Sequence, residues 1–299
     1  MKDFTKMKIK KSGNCKKEYG IMKLSFSTLS FDECSFEDMA KLCKKYGYDG
    51  IEIRMGSGVG AVDYTEQELS EIRKMLDSYG VSVVGLGSSV CPRDNSEENY
   101  EGFIKLLPMA KALGANGIRV FTGTFKGRRS QPNNPLNYDG LVTLLQRLSD
   151  EAKKYGVCVY IETHNDFSTG KDLKRLLASV NRDNCKIIWD IMHPLEEFEE
   201  PQQTMDYLGK SVAHVHVKDG YKPDDPDVIS YTYCPIGEGD IPIGEIVSVL
   251  KKGGYDGYYS LEWEEQWRES LKQLDMPHEE VLKRYAEYMR EVDSRTEGE

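Results

Sequence analysis

Four apolar runs in this chain end in ionisable side chains. "YIETHNDFSTG" (160–170) carries Glu162 and His164, and "IIWDIMHP" (187–194) carries Asp190 and His193. "VAHVHVKD" (212–219) carries His214, His216 and Lys218, and "YYSLEWE" (258–264) carries Glu262. Glu162, Asp190, His216 and Glu262 form a set of three carboxylates and one imidazole. Such a hard, oxygen-rich set suits Mn²⁺, Mg²⁺ or Co²⁺ better than structural zinc, which prefers sulfur and nitrogen. Paired carboxylates also move protons.

That chemistry needs elements that bring distant residues together. Strand-like runs are predicted at 22–27, 50–54, 81–87, 117–121, 157–162, 186–190, 212–217 and 257–262. Helix-like segments are predicted near 35–46, 65–79, 97–114, 138–155, 170–179, 202–209, 243–253 and 264–291. "SFED" at 35 and "TEQE" at 65 read as capping boxes, and Gly47, Gly80, Gly114 and Gly156 close helices. The fragments "KKYGYDGIEI", "KALGANGIRV", "KKYGVCVYIE" and "KKGGYDGYYSLE" repeat one plan of helix end, glycine and strand, the mark of a repeated supersecondary unit. Alternating strands and helices of this kind predict an α/β fold, a single parallel (β/α)₈ TIM barrel with its site at the C-terminal face of the strands. A doubly wound sheet is the rival, and "SFSTLSF" after its first strand is no glycine-rich phosphate loop.

Strand alternation supplies the phase. Ile51 and Ile53 face outward, with Glu52 and Arg54 inward. Ile118 and Val120 face outward, with Arg119 inward. Val159 and Ile161 face outward, with Glu162 inward and His164 beyond it. Ala213, Val215 and Val217 face outward, with His214, His216 and Lys218 inward. A single inward polar group is an ordinary buried hydrogen bonder. Six strands placing such groups in phase is different, because clustered buried carboxylates need positive partners. His214 reads equally as core or as support for a ligand. The loops 122–137 and 219–240 are long and turn-rich, and fall on the predicted C-terminal face. "KGRRS" (126–130) is a candidate anion anchor against the simpler reading of a solvated loop. Tyr221, Tyr231, Tyr233, Trp263 and Trp267 are candidates for a sugar-stacking wall.

Bulk properties narrow the function. The chain has 299 residues, 39% of them hydrophobic, with a net charge of −10 and a pI near 5.2. An acidic chain has no electrostatic reason to bind nucleic acid. No apolar run reaches transmembrane length. The seven cysteines include no CxxC, which fits free thiols in a cytoplasmic protein. Residues 1–21 are expected to be a basic, disordered N-terminal extension without an apolar signal core, ahead of a barrel domain at 22–299.

The motifs "IETH", "WDIMHP", "HVHVKD", "PIGEGDI" and "GYDGYYSLEWE" occur in the order and spacing of a known group. The chain resembles the sugar phosphate isomerase/epimerase family of the xylose isomerase-like TIM barrel superfamily, from about Met22 to the last helix. The resemblance implies one divalent metal, commonly Mn²⁺, on Glu162, Asp190, His216 and Glu262. It also implies that Glu162 and Glu262 carry protons, and that His193 binds substrate. "HVHVKD" departs from the "HxHLGE" of ketose epimerases and resembles inosose dehydratases.

The expected activity is that of an isomerase or epimerase on a ketose or keto-sugar. One glutamate removes the proton α to a carbonyl through a metal-stabilised ene-diolate, with His164 assisting and Lys218, Arg119 and Glu52 binding substrate. The alternative is a lyase on the same scaffold, dehydrating a keto-inositol or cleaving a 3-keto-glycoside, with His164, His193 or Lys218 as the additional acid. More remote is a non-catalytic sugar-binding barrel. A DNA-repair endonuclease of this superfamily would need more histidines than the five present. The expected partner is a small sugar or polyol, with no nucleic acid and no membrane. A homo-oligomer is compatible with the resemblance.

Overall fold

In a computed structural model, residues 21–296 are described, and the basic segment 1–20 lies outside them. Eight parallel strands close a barrel. They are β1 (Lys23–Ser27), β2 (Gly50–Arg54), β3 (Ser82–Gly87), β4 (Gly117–Val120), β5 (Cys158–Glu162), β6 (Cys185–Asp190), β7 (Val212–Val217) and β10 (Tyr258–Leu261). β10 pairs with both β7 and β1 and so completes the ring. Between them, β8 (Asp219–Tyr221) and β9 (Thr232–Cys234) form a separate antiparallel hairpin. The expected (β/α)₈ barrel is therefore present, with a hairpin in the seventh loop that its turn-rich composition had concealed.

The helices around the ring are α1 (Phe36–Tyr46), α2 (Glu66–Tyr79), α3 (Glu97–Ile104), α4 (Leu107–Leu113), α5 (Tyr138–Tyr155), α6 (Gly170–Val180), α7 (His193–Glu196), α8 (Pro201–Leu208), α9 (Ile243–Lys252), α10 (Glu269–Lys272) and α11 (His278–Thr296). Both capping boxes form, Ser35 with Asp38 and Thr65 with Glu68. Each satisfies backbone N–H groups that a helix start leaves free. α1 ends at Gly47, whose φ of 73° a side chain would resist.

Two predicted helices differ. The segment 97–114 divides at Lys105–Leu106 into α3 and α4, where Pro108 enters early in the second helix and has no N–H to continue the first. The segment 264–291 becomes a 3₁₀ turn at Glu265–Trp267, the short α10, and α11 beginning just after Pro277. Glu264 and Trp267 of this stretch reach the cavity at the barrel mouth.

The outward residues behave as alternation requires. Ile51, Ile53, Ile118, Val120, Val159, Ile161, Val215 and Val217 are at most 1% exposed and join one core with Leu141, Leu144, Leu148 and Leu250 of the helices. Each such side chain contributes roughly 1.5–3 kcal/mol relative to exposure. Below the site the interior is filled by Tyr160. A Cβ on Gly117 would lie 2.5 Å from its ring, so that glycine is what lets an aromatic plug the floor. The site above it is a solid-bottomed cup.

Candidate functional site

β5, β6 and β7 deliver Glu162, Asp190 and His216 from their last turns, and Glu262 follows β10 directly. All four are buried. One ligand atom from each lies within 4.8 Å of the others. Glu162 Oε1 is 3.1 Å and Glu262 Oε2 is 3.6 Å from His216 Nδ1. Glu162 Oε2 and Asp190 Oδ2 are buried without a hydrogen-bond partner. Arg119 Nη1 at 3.2 Å and Lys218 Nζ at 2.7 Å respectively meet them only as ion pairs. Orphaned carboxylate oxygens converging beside an imidazole nitrogen fit a divalent cation of the hard class.

His216 is held from behind. Its Nε2 is 2.7 Å from Glu52 Oε2, and His214 Nε2 is 3.0 Å from the same oxygen. A carboxylate on Nε2 is the support that would fix the tautomer of a metal-ligating imidazole and leave Nδ1 for a cation. His214 shares with His216 the Glu52 oxygen that holds both rings. Glu52 does not line the cavity, so its expected contact with substrate gives way to a contact with the two imidazoles.

Arg119 bridges the two glutamates, with Nη1 3.2 Å from Glu162 Oε2 and 3.1 Å from Glu262 Oε1. Burial is the largest influence on Glu162 and works to raise it, but Arg119 and His216 together outweigh it and pull the carboxyl down to about 2. Glu262 is likewise held well below the carboxylate range, where Lys218, His216 and Arg119 overcome burial. Asp190 goes the other way: burial dominates, Lys218 opposes it, and the carboxyl rises to about 6. His216 is raised well above its ordinary value, because Glu52, Glu262 and Glu162 overcome its burial.

The cavity over this centre has a volume of about 300 Å³ and is lined by Leu29, Arg54, Arg119, Phe121, Glu162, His164, Lys218, Glu262, Glu264 and Trp267. His164 also lines a neighbouring cavity of about 340 Å³, which His193 lines too. The two rings meet edge to face with centroids 4.6 Å apart. Burial, then the partner His193, pushes His164 down to about 4. Burial, then Lys218, does the same to His193. His193 Nδ1 donates to the carbonyl of Thr163, which leaves Nε2 as an acceptor. Both imidazoles are neutral at pH 7.

Lys218 Nζ touches Asp190, Glu262 and Glu264. Glu264 also accepts from Tyr233 Oη at 3.0 Å and pairs with Arg268 at 2.7 Å. Of the five expected aromatics, Trp267 lines the cavity with 53% exposure, Tyr233 and Trp263 are buried, and Tyr221 and Tyr231 are not among the residues lining it. Glu264 and Phe121 were missed by the sequence reading. Their signal was there, two residues beyond Glu262 and Arg119 and therefore in phase with them.

The long loops are tied to one another. Arg128 pairs with Asp225 and Asp227, and Arg129 donates to the carbonyls of Pro226, Val228 and Glu196. The basic run "KGRRS" thus clasps the seventh loop, which takes its two arginines out of the role of anion anchor. Asp219 accepts backbone N–H bonds from Gly220, Gly237, Gly239 and Ile241. A Cβ at Gly239 would sit 2.2 Å from that carboxylate. This explains the glycines of "PIGEGDI": they close the loop around Asp219.

Comparison with known proteins follows the same lines. The chain is 24% identical over 261 residues to fructoselysine 3-epimerase of Escherichia coli O157:H7, covering 81% of this chain and 90% of that protein. It is 24% identical over 262 residues to 3-dehydroshikimate dehydratase of Bacillus anthracis, covering 81% and 91%. In structure it superposes on an IOLI protein with a bound zinc atom with a TM-score of 0.74 and 23% identity, covering 92% of this chain and 99% of that one. The family model of the xylose isomerase-like TIM barrel matches residues 40–292. The chain belongs to the xylose isomerase-like TIM barrel family.

Proposed function

We propose that this protein is a divalent-metal-dependent isomerase or epimerase of a ketose or keto-sugar. The observation that carries this reading is the pair Glu162 and Glu262, two buried carboxylates bridged by one Arg119 nitrogen at 3.2 and 3.1 Å and both facing His216 Nδ1. Glu162, Asp190, His216 and Glu262 would hold the cation, with Mn²⁺ the best match and Mg²⁺ or Co²⁺ also fitting the donor set. When bound, such an ion polarises a carbonyl and its neighbouring hydroxyl and acidifies the adjacent C–H. One glutamate takes that proton, and the other returns a proton on the opposite face. Arg119 keeps both carboxylates ionised and aimed into the cavity. His164 and His193, neutral at pH 7, bind substrate hydroxyls. Trp267 and Phe121 provide apolar faces for the C–H surface of the ring or chain.

A second reading is favoured by Lys218, an ammonium touching Glu262 Oε2. A lyase needs an acid for the departing oxygen. The low values of His164 and His193 leave Lys218 the better donor of the three. The match to a dehydratase adds to it. Incubation of the Mn²⁺-loaded protein with ketoses and keto-polyols in D₂O, followed by NMR, tests both. Deuterium should enter α to the carbonyl, and Glu262→Gln should abolish the exchange by a factor of about 10²–10⁴. Appearance of an enone absorbance selects the lyase. Absence of exchange and of enone across the panel would overturn both.

A further inference from the structure

Every cation around the reaction cavity except one has a carboxylate partner. Arg119 pairs with Glu162 and Glu262, Lys218 with Asp190, Glu262 and Glu264, and Arg268 with Glu264. Arg54, at the end of β2, lines the same cavity and has no carboxylate within 4.0 Å among the described residues. Its guanidinium is held in place by neutral acceptors. Nη1 donates to the carbonyls of Met55 at 2.9 Å and Gly87 at 2.8 Å, and Nη2 donates to Ser89 Oγ at 2.6 Å. Nε and the second Nη2 hydrogen make no protein hydrogen bond among the described residues. That pair is the side-on fork with which arginine grips a carboxylate or phosphate.

A partly buried guanidinium positioned this firmly by neutral partners has a desolvation cost that the more distant carboxylates of Glu262, Glu52 and Glu162 offset only in part. Arg119 nearby adds repulsion. A divalent cation on the neighbouring quartet would add two more positive charges and neutralise none of this. An anionic group on the ligand would supply the close partner that no carboxylate among the described residues provides.

We infer that Arg54 is a specificity residue that binds an oxyanion substituent of the substrate, so that the substrate is a keto-polyol carrying a carboxylate or phosphate rather than a neutral sugar. The inference rests on the proposed reading of the cavity as the substrate site, and sharpens the substrate class. The cavity's volume of about 300 Å³ accommodates a six-carbon acid beside Trp267. "KGRRS" played no part in this, since its arginines are bound to the seventh loop.

A matched set of ligands tests it. D-Fructose, D-fructuronate and D-fructose 6-phosphate differ only in the group at C6: hydroxymethyl, carboxylate or phosphate ester. Calorimetric titration into the Mn²⁺-loaded full chain should show one of the two anions binding at least about 10-fold more tightly than fructose. The preferred one identifies the source of the charge. Arg54→Met should reduce that preference by about 10- to 100-fold. Arg54→Lys, which keeps a point charge without the fork, should restore part of it and guards against a folding defect in the methionine variant. Equal affinity for all three ligands in the native protein overturns the inference. So does an anion preference that survives Arg54→Met. Binding and C–H exchange are separate readouts. Anion preference without exchange would retain the Arg54 assignment and defeat the isomerase reading, while exchange of fructose with no anion preference would do the reverse.

Discussion

Replacing Glu52 by Gln probes the centre without touching a proposed ligand. Glu52 Oε2 receives two imidazoles, His216 Nε2 at 2.7 Å and His214 Nε2 at 3.0 Å. Glutamine keeps the shape and an acceptor oxygen but loses the charge. A hydrogen bond to a charged acceptor contributes about 1.5–3 kcal/mol against about 0.5–1.5 for a neutral one, so two bonds lose about 2 kcal/mol. His216 presents Nδ1 to the quartet only while Nε2 is held, so most of this loss should appear as metal affinity weakened about 30-fold, inside the 10- to 100-fold usual for such supports. The pH sign is fixed as well. In the metal-free protein His216 is raised well above its ordinary value, hence protonated at pH 7, and Glu52 is the leading attractive charge. Metal must displace that proton. Wild type should therefore release about one proton per Mn²⁺ at pH 7, and its affinity should rise with pH. Glu52→Gln should release fewer, because less of its His216 is charged beforehand. Titration of metal-free protein with MnCl₂ in two buffers of different ionisation enthalpy measures affinity and proton release together. A folded Glu52→Gln protein with unchanged affinity and proton release would refute the argument.

Other perturbations read the same cluster. Lys218→Met removes an ammonium from three carboxylates, and breaking such buried pairs costs about 3–5 kcal/mol. The loss in urea denaturation at pH 7 should be largest without metal and partly recovered by saturating Mn²⁺, whereas equal loss in both states would contradict a shared site. Acid should act on the metal-free protein in a defined window. Glu162 is lowered from 4.5 to about 2 and Glu262 well below 4.5. Their contribution is present above 4.5 and lost as pH falls from 4.5 toward 2. Asp190, raised to about 6, has the opposite sign and gains as pH falls through 6. His164 and His193, lowered from 6.5 to about 4, cost stability as pH falls from 6.5 toward 4, so the carboxylate pairs are read below pH 4. Stability measured by denaturant melts should keep dropping below pH 4; a curve that levels off there would show that Glu162 and Glu262 are not paired in this way. Trp267→Ala, at an exposed side chain, should leave stability within about 0.5 kcal/mol. It should raise KM about 5- to 10-fold with little change in kcat, and an unchanged KM would remove Trp267 from the binding wall.

Legibility followed periodicity. Strand alternation assigned inward and outward faces to β2, β4, β5 and β7, and the outward set is buried apart from Ala213 near the start of β7, which is partly exposed. The quartet was readable because each member sits at a strand end, where one inward position follows another. What failed lay beyond the strands. The 264–291 segment has helical periodicity in its second half only, and Pro277 separates the two parts. The β8–β9 hairpin is built from three-residue strands, too short to show a period of two. "KGRRS" could not be told from a ligand anchor, since its acidic partners Asp225 and Asp227 lie about a hundred residues away in sequence. Arg54 was placed inward by phase, but its lack of a carboxylate partner is a property of three-dimensional surroundings alone.

These observations also explain how a cup lined with carboxylates stays folded before metal arrives. Lys218 lies against Asp190 and Glu262, two of the proposed ligands, and the raised His216 supplies a second positive charge beside Glu162 and Glu262. An ammonium and an imidazolium together carry the charge of one divalent cation. If the quartet holds a divalent cation as proposed, its binding would have two linked consequences, loss of the His216 proton and a shift of Lys218 from the ligand carboxylates toward Glu264, its third partner. The second would free a strongly basic amine in the cavity, between Glu262 and the Glu264–Tyr233–Arg268 cluster. The group that preserves the metal-free fold is therefore the same group that, once metal is bound, is placed to meet a substrate oxygen. A structural account of Lys218 and a chemical one are not rivals, and only measurements with and without metal separate them.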